Sequence, residues 1–186
     1  MENQTSTGAD KPGIIVVTGG SKGIGKSIAQ KFAEDGNTIL LGARNEHNLR
    51  QAAEEIQALY KHAIIKTFSA DLSDKKEVSV FAEWCLQQGT PTVLVNNAGN
   101  YLPGNVWNEP EGNMEEMMNT NFYSAYYLTR LLLPGMILDG NGHIFNICSV
   151  ASFHAYEGGG SYSISKFALN GFSKNLRHEL KKTGIE

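Results

Sequence analysis

The sequence predicts an α/β domain built on a doubly wound parallel sheet, and three observations carry this prediction. Short apolar, β-branched runs alternate with longer segments whose apolar residues recur every three to four positions. The connections between the apolar runs are long enough for parallel pairing. The chain has 186 residues, which suits one domain with a sizeable core.

The predicted elements follow one another along the whole chain. Strands are predicted at residues 14–17, 38–42, 64–68, 92–95 and 143–148. Helices are predicted at residues 23–35, around 49–59 and 78–85, from 114 onward, and at 161–182. Gly36 and Gly184 are expected to end the first and last helices, and Pro134 with Gly135 to disturb the long fourth helix.

Net charge, cysteine spacing and the polar N-terminal residues make several classes of function less plausible. The formal net charge of −3 gives no electrostatic reason to expect nucleic acid or an anionic membrane as a partner. Cys85 and Cys148 lack metal-ligand spacing, so we expect two buried free thiols and no metal site. Residues 1–12 are polar without the apolar core of a secretion signal, which predicts a disordered tail and a cytoplasmic protein.

A glycine-rich turn follows the first predicted strand. Gly19, Gly23 and Gly25 are spaced as in turns that let a backbone approach a pyrophosphate closely. The following helix would present free N–H groups and the positive end of its dipole to phosphate. The predicted phosphate-binding residues of this turn are Gly19, Ser21, Lys22, Gly23, Ile24 and Gly25.

The same residues also fit a rival motif. Residues 20–27 read G-x-x-x-x-G-K-S, in which Lys26 would reach the β- and γ-phosphates and Ser27 would hold magnesium. Magnesium chemistry also requires an acidic residue at the end of a later strand. The fourth strand ends instead in Asn96 and Asn97, which disfavours a nucleotide hydrolase.

Two residues of the last predicted helix suggest proton transfer. Tyr162 and Lys166 are four positions apart, so their side chains lie on one helix face, about 5–6 Å apart at Cβ. A nearby ammonium favours the tyrosinate and lowers the tyrosine pKa toward the useful range for general acid–base catalysis. Ser149 ends the fifth strand, where its hydroxyl can donate a hydrogen bond to a substrate oxygen.

With these motifs the chain resembles the short-chain dehydrogenases/reductases, from about Gly13 to its last residue. The resemblance implies a Rossmann-like fold with strand order 3-2-1-4-5 and hydride transfer between a nicotinamide cofactor and a carbonyl or alcohol. It also implies a homodimer or homotetramer. The further site residues that it implies are Asp71 and Leu72 at the adenine, Asn97, Ala98 and Gly99 along the adenosine pocket, Asn121 beside a proton-relaying water, and Tyr162 and Lys166 at the nicotinamide ribose.

The residues after the second strand indicate which cofactor is used. NAD-binding proteins usually place an acidic residue there for the ribose 2′-hydroxyl, whereas an arginine suits the 2′-phosphate of NADP. This chain has Arg44, and no acidic residue precedes Glu46. With Lys22 as a second cation, we expect NADP(H).

Three alternatives stay open at this point. Ser149, His154 and Glu157 could form a hydrolase triad, although Ser149 lacks the G-x-S-x-G elbow.

Members of the family usually continue with a sixth strand, a substrate-covering segment and a seventh strand, so we expect an incomplete chain whose fifth strand is an uncovered apolar edge. Such a chain could bind nucleotide with little turnover. Asp71 could also simply cap the turn that follows it. The substrate is not predictable from these residues.

Overall fold

The computed structural model describes residues 12–186, so the tail expected at residues 1–12 lies almost entirely outside the described residues. Within this range, five parallel strands form one sheet in the order β3-β2-β1-β4-β5. They are β1 (Ile14–Thr18), β2 (Thr38–Ala43), β3 (Ile64–Ser69), β4 (Val93–Asn96) and β5 (His143–Asn146). The predicted strand order is confirmed, and the first four strands match their predicted bounds within one residue.

The helices lie between the strands as predicted. They are α1 (Gly23–Ala33), α2 (Glu46–Leu59), α3 (Lys75–Gln88), α4 (Asn113–Met118), α5 (Ser124–Asp139) and α6 (Gly160–Glu179). A π-helical segment, Asn119–Tyr123, joins α4 directly to α5. A 3-10 turn, Val150–Ser152, lies between β5 and α6.

Two apolar layers cover the two faces of the sheet, because successive side chains of a strand point to opposite faces. Ile15 and Val17 of β1 pack with residues of α1 and α2 such as Ala29 and Ile56. Val16 points the other way into a layer that contains residues of α3 and α5. Since all five strands are parallel, their carboxyl ends share one edge, where ligands of such sheets bind.

The long helix differs from its prediction at Pro134. It continues through this proline and ends at Asp139, where Gly140 adopts a left-handed conformation with φ +65°. Leu132 and Met136, which flank the proline, are both fully buried. This buried face holds the two halves in one helix despite the hydrogen bond that a proline removes.

The fifth strand is shorter than predicted and its outer edge is partly covered. Its last ladder bond runs from the Ile147 N–H to the Asn96 carbonyl (2.9 Å), and beyond Asn96 the partner strand turns away. On the outer side, the Ile144 N–H donates to the Glu186 carbonyl at 2.7 Å. Phe145 remains 47% exposed, so the apolar edge expected there is present along part of the strand.

The two cysteines differ in their surroundings. Cys85 is fully buried in the layer of α3 and α5, and this burial raises the pKa of its thiol to about 12. Cys148 is only half-buried, so the expectation of a buried thiol is wrong for this residue. Among residues 12–186, no cluster of three or more metal-ligating side chains occurs, and no helix is long and apolar enough to cross a membrane.

Candidate active site

A cleft of about 480 Å³ opens at the carboxyl edge of the sheet, above the ends of β1, β2 and β4. Most of the residues predicted to bind the cofactor line it, namely Gly19, Ser21, Lys22, Gly23, Ile24, Arg44, Asp71, Leu72, Asn97, Ala98 and Gly99. Gly25, Tyr162 and Lys166 do not line this cleft. The lining thus joins turns that are far apart in sequence, as a shared carboxyl edge requires.

The glycine turn is held tightly against the sheet. The Gly19 N–H donates to the Gly42 carbonyl of β2 at 2.7 Å. Gly25 is buried beneath the turn, and a Cβ at this position would lie 2.5 Å from the Gly19 carbonyl oxygen. Within residues 12–186, no side chain caps the N-terminus of α1, so its first N–H groups are available to an anion.

The turn after β4 fastens the glycine turn from the other side. The Thr18 hydroxyl oxygen accepts hydrogen bonds from the N–H groups of Asn97 and Ala98, both at 2.9 Å. The Asn97 side-chain amide donates to the carbonyls of Thr18 (3.0 Å) and Gly19 (3.3 Å). These four bonds fix the relative positions of the two turns that line the cleft.

The cleft has a basic end near β2. Arg44 and Lys22 are exposed there, and within the described residues neither side chain forms an ion pair. Asp71 lines the cleft from β3, and its Oδ1 accepts hydrogen bonds from the Ser73 N–H (3.0 Å) and hydroxyl (2.7 Å). Asp71 therefore caps its own turn, which was the open alternative, while lining the cleft.

Ser149 lies beside the helix that carries Tyr162. Its Oγ accepts a hydrogen bond from the Ala151 N–H at 3.2 Å, which leaves the hydroxyl proton free to donate. The 3-10 turn after Ser149 is tied to α6, because the Ser163 hydroxyl donates to the Ala151 carbonyl at 3.0 Å. The Asn170 amide adds a bond to the Ser152 carbonyl at 3.2 Å. The predicted serine and tyrosine thus sit on two segments that are bonded together.

Lys166 links α6 to both the sheet and the cleft. It is only 6% exposed, and its Nζ donates to the Ile147 carbonyl at 2.9 Å. A Cβ on Gly99, which lines the cleft, would lie 3.6 Å from this Nζ. Burial lowers the pKa of Lys166 below its ordinary value of 10.5, and the neighbouring Cys148 partly opposes this shift.

The lowered pKa of Lys166 predicts a pH-dependent contribution to stability. Between the lowered value and 10.5 the unfolded chain binds more protons, so the free energy of unfolding rises with pH in this window. Replacing Lys166 with methionine removes this component. In urea unfolding from neutral pH upward, the difference between wild type and Lys166→Met is expected to grow in favour of the wild type. The exposed Lys181→Met serves as the control, and a pH-independent difference for Lys166→Met would contradict the prediction.

Asn121 lies in the π-helical segment, fully buried between the cleft and α6. Its amide nitrogen donates to the Asn100 carbonyl (3.0 Å) and to the Ser165 hydroxyl (2.9 Å). Its Oδ1 accepts from the Asn100 N–H at 2.7 Å. Both amide protons therefore have protein acceptors, so the side chain holds these segments together, and the water that the resemblance places beside Asn121 stays a prediction.

An aromatic ring packs against the ring of Tyr162. Tyr101, from the loop after β4, packs edge-on against the Tyr162 ring with centroids 4.8 Å apart and an interplanar angle of 83°. Partial desolvation raises the pKa of Tyr156 above its ordinary value, and the neighbouring Tyr101 adds to this shift. Tyr162 itself is half-buried.

The phosphate-loop alternative does not fit the positions of Lys26 and Ser27. Lys26 forms an ion pair with Glu55 of α2, and this contact lowers the pKa of the Glu55 carboxyl. The Ser27 hydroxyl donates to the Gly23 carbonyl at 3.2 Å, as serines within helices do. Neither residue lines the 480 Å³ cleft, so neither is placed to meet phosphates there.

The hydrolase alternative has no support from the geometry. Ser149 and His154 share the lining of a second hollow of about 530 Å³, beside β5. In the part of the chain that the structure describes, no hydrogen bond links Ser149 to His154 or Glu157. A serine nucleophile needs a base within hydrogen-bond reach.

Several residues of this site were missed from the sequence. Thr120 and Asn48 line the cleft, Thr18 joins its two turns, and Ser163 with Asn170 ties α6 to the Ser149 turn. Thr18 carries a local signal, because a polar residue ending an apolar parallel strand lies at the ligand-binding edge. The others act through partners distant in sequence and carry no such signal.

The comparisons with known proteins identify the family to which this fold and site belong. A family model described as short chain dehydrogenase matches residues 13–186. The chain therefore belongs to the short-chain dehydrogenase family.

The relatives are oxidoreductases. An uncharacterized oxidoreductase of Staphylococcus saprophyticus is 35% identical over 173 residues, which cover 92% of this chain and 74% of that protein. L-sorbose reductase of Gluconobacter frateurii, solved with NADPH and L-sorbose, is 30% identical with a TM-score of 0.88, over 95% of this chain and 67% of its own. A metagenomic short-chain oxidoreductase solved with NADP is 33% identical with a TM-score of 0.88, over 94% of this chain and 79% of its own.

Proposed function

We propose that this chain is an NADPH-dependent carbonyl reductase or alcohol dehydrogenase in which Tyr162 is the general acid and base. The observation that carries the proposal is the position of Lys166. It lies one helical turn after Tyr162, bonds to the end of β5 just before Ser149, and borders Gly99 in the cleft. Lys166 thus connects the predicted acid, the segment that carries Ser149 and the cofactor cleft.

The residues of the cleft suit a dinucleotide. The buried Gly25 allows the turn to lie close to α1, whose uncapped N-terminus favours a pyrophosphate. A Cβ on Gly23 would meet no atom of residues 12–186 within 4 Å, so the backbone there is open to a ligand. The two exposed cations, Arg44 and Lys22, suit a 2′-phosphate. NADPH bound in this cleft would supply a hydride.

The protein's own residues would then transfer the proton to or from the substrate oxygen. The Tyr162 phenol donates its proton to the substrate oxygen in reduction and accepts it in oxidation. The free hydroxyl proton of Ser149 donates a hydrogen bond to the same oxygen. Lys166 would act beside this phenol as an ammonium. Burial lowers the pKa of Lys166, so this ammonium form gives way to the neutral amine at a lower pH than in an exposed lysine.

Two assays on the same preparation test the proposal. NADPH oxidation is followed against a panel of ketoses, ketones and aldehydes, with ketoses included because of the likeness to L-sorbose reductase. NADPH binding is measured by titration. We expect both binding and turnover. Binding without turnover on any carbonyl would support a nucleotide-binding protein instead, and magnesium-dependent ATP hydrolysis would support the phosphate-loop alternative.

The proposed preference for NADPH predicts a selective effect of Arg44. Replacing it with alanine removes a charge-assisted contact to the 2′-phosphate, so the Kd for NADPH is expected to rise by about 10- to 100-fold. The Kd for NADH should change little, since NADH lacks that phosphate. The matched control is Arg50→Ala, which removes an exposed arginine that pairs with Glu46 outside the cleft. Tighter binding of NADH than of NADPH by the wild type would contradict the preference.

We also propose that the chain forms a homodimer or homotetramer through α5 and α6, as the resemblance implies. Exposed apolar side chains on these helices support it: Leu131, Ile137, Leu138, Ile164 and Phe167. The molar mass from light scattering should be two or four times 20.3 kDa, and a monomer at micromolar concentration would contradict the proposal. The cytoplasmic location stays a prediction.

A further inference from the structure

The loop between β4 and α4, here called the β4–α4 loop (residues 97–112), contacts the Tyr162 segment at two places. Near its start, the ring of Tyr101 packs edge-on against that of Tyr162. Near its end, the Glu109 carboxylate reaches the first turn of α6. Neither residue was assigned a role above, yet both act on the helix turn that carries the proposed acid.

Glu109 caps α6 from a distance in sequence. The first N–H groups of a helix need partners, and α6 has no side-chain cap of its own. Glu109 Oε2 accepts the Ser161 N–H at 3.2 Å, and Oε1 accepts the Ser161 hydroxyl. A carboxylate at this end of a helix is also favoured by the helix dipole. The residue that follows Ser161 is Tyr162 itself.

Hydrogen bonds and a glycine allow the β4–α4 loop to lie close to the start of α6. The Gly104 N–H donates to the Gly158 carbonyl at 3.1 Å, and the Gly158 N–H donates to Asn105 Oδ1 at 2.9 Å. Gly160 has φ +38°, and a Cβ there would lie 2.4 Å from the Gly104 carbonyl oxygen. The glycine is therefore required for the approach that brings Glu109 to Ser161.

We propose that Glu109 is a positioning residue for the proton transfer of Tyr162. It fixes the first turn of α6, while Tyr101 restricts the rotation of the Tyr162 ring, so that the phenol faces the substrate oxygen. This inference rests on the proposed function. Small errors in the position of a reacting group cost much rate, so the residue acts on kcat although it touches no reacting atom.

The test compares Glu109→Ala with Glu109→Gln and with Glu111→Ala. Glutamine keeps the shape of Glu109 but has one oxygen acceptor for the two Ser161 donors. Glu111 is an exposed carboxylate of the same loop, and within residues 12–186 no hydrogen bond or ion pair of its side chain occurs. It therefore serves as the matched control.

Two readouts are measured for each variant. Hydrogen–deuterium exchange of the peptide around residues 158–165 reports the first turn of α6 and needs no turnover. Steady-state kinetics report kcat and the KM for NADPH. For Glu109→Ala we expect faster exchange in this peptide, a kcat lower by about 10-fold and a nearly unchanged KM for NADPH. Glu109→Gln should fall between it and the wild type, and Glu111→Ala should match the wild type.

Exchange in Glu109→Ala equal to that of the wild type would overturn the inference, whether or not the protein turns over. A fall in kcat matched by an equal loss of NADPH affinity would also overturn it, because a general loss of folding predicts that pattern. Absence of turnover in the wild type would count against the proposed function instead, and the exchange readout separates the two failures.

Discussion

Replacing Tyr162 with phenylalanine is expected to lower kcat by about 1000-fold, because the variant lacks the only phenol proposed to exchange a proton with the substrate oxygen. The ring and its edge-on contact with Tyr101 remain, so the fold around the site should be preserved. NADPH affinity should stay within about fivefold of the wild type, since at most one hydrogen bond of about 1 kcal/mol is lost. Steady-state kinetics and a binding titration on the same sample measure both quantities.

The matched control is Tyr60→Phe. It removes a hydroxyl that bonds to Glu34 on the surface at 3.1 Å, away from the cleft. This control should keep both the turnover and the affinity of the wild type. Turnover of Tyr162→Phe within a few-fold of the wild type would remove Tyr162 from its proposed role.

Replacing Gly25 with alanine is the second change with a large expected effect. The new Cβ would lie 2.5 Å from both the Gly19 carbonyl oxygen and the Asn97 amide nitrogen. Since the first contact is with backbone, the glycine turn must move away from α1, at a cost of about 1–3 kcal/mol in the free energy of unfolding. The displaced turn should also bind NADPH about 10- to 100-fold more weakly. Urea unfolding and NADPH titration measure the two effects.

A control substitution at a second glycine separates the effect on stability from the effect on NADPH binding. Gly140 ends α5 with φ +65°, and a Cβ there would meet no atom of the described part of the chain within 4 Å. Gly140→Ala should therefore cost about 1 kcal/mol through backbone strain alone, with NADPH affinity unchanged. If Gly25→Ala bound NADPH as tightly as Gly140→Ala, the close approach at Gly25 would not be needed for binding.

The fold could be predicted from the sequence because its information is local and periodic. Each strand is a short apolar run, and each helix buries residues three to four positions apart, such as Val78 and Phe81. The expectation that Pro134 disturbs the long helix also came from local information. The local preference of proline ends helices, whereas the buried residues on both sides of it decide the outcome here.

Parts of the candidate site could be predicted because they are short motifs with a fixed spacing along the sequence. The glycine turn and the Tyr162–Lys166 pair are of this kind. The structure brings Lys166 to the border of the predicted cleft, which spacing along the chain alone does not specify. It also shows that the Asn121 side chain bonds to Asn100 and Ser165, a role that depends on an unpredicted π-helical segment.

The contacts missed from the sequence join residues far apart along the chain. Glu109 and Ser161 are 52 positions apart, and Thr18 meets Ala98 across 80. A glutamate in a loop is ordinarily a solvated charge, and only the folded chain brings this one to a helix N-terminus. Sequence patterns report which faces are buried, but not which polar group will meet which partner.

The most direct test of the central claim is isotope transfer from the cofactor. Wild-type protein is incubated with NADPH deuterated at both C4 positions and with a panel of carbonyl compounds, and the products are analysed by mass spectrometry. If Tyr162 and Lys166 face a nicotinamide bound in the cleft, the product alcohol carries one deuterium on the former carbonyl carbon. NADPH that binds tightly yet transfers no deuterium to any carbonyl offered would contradict the account.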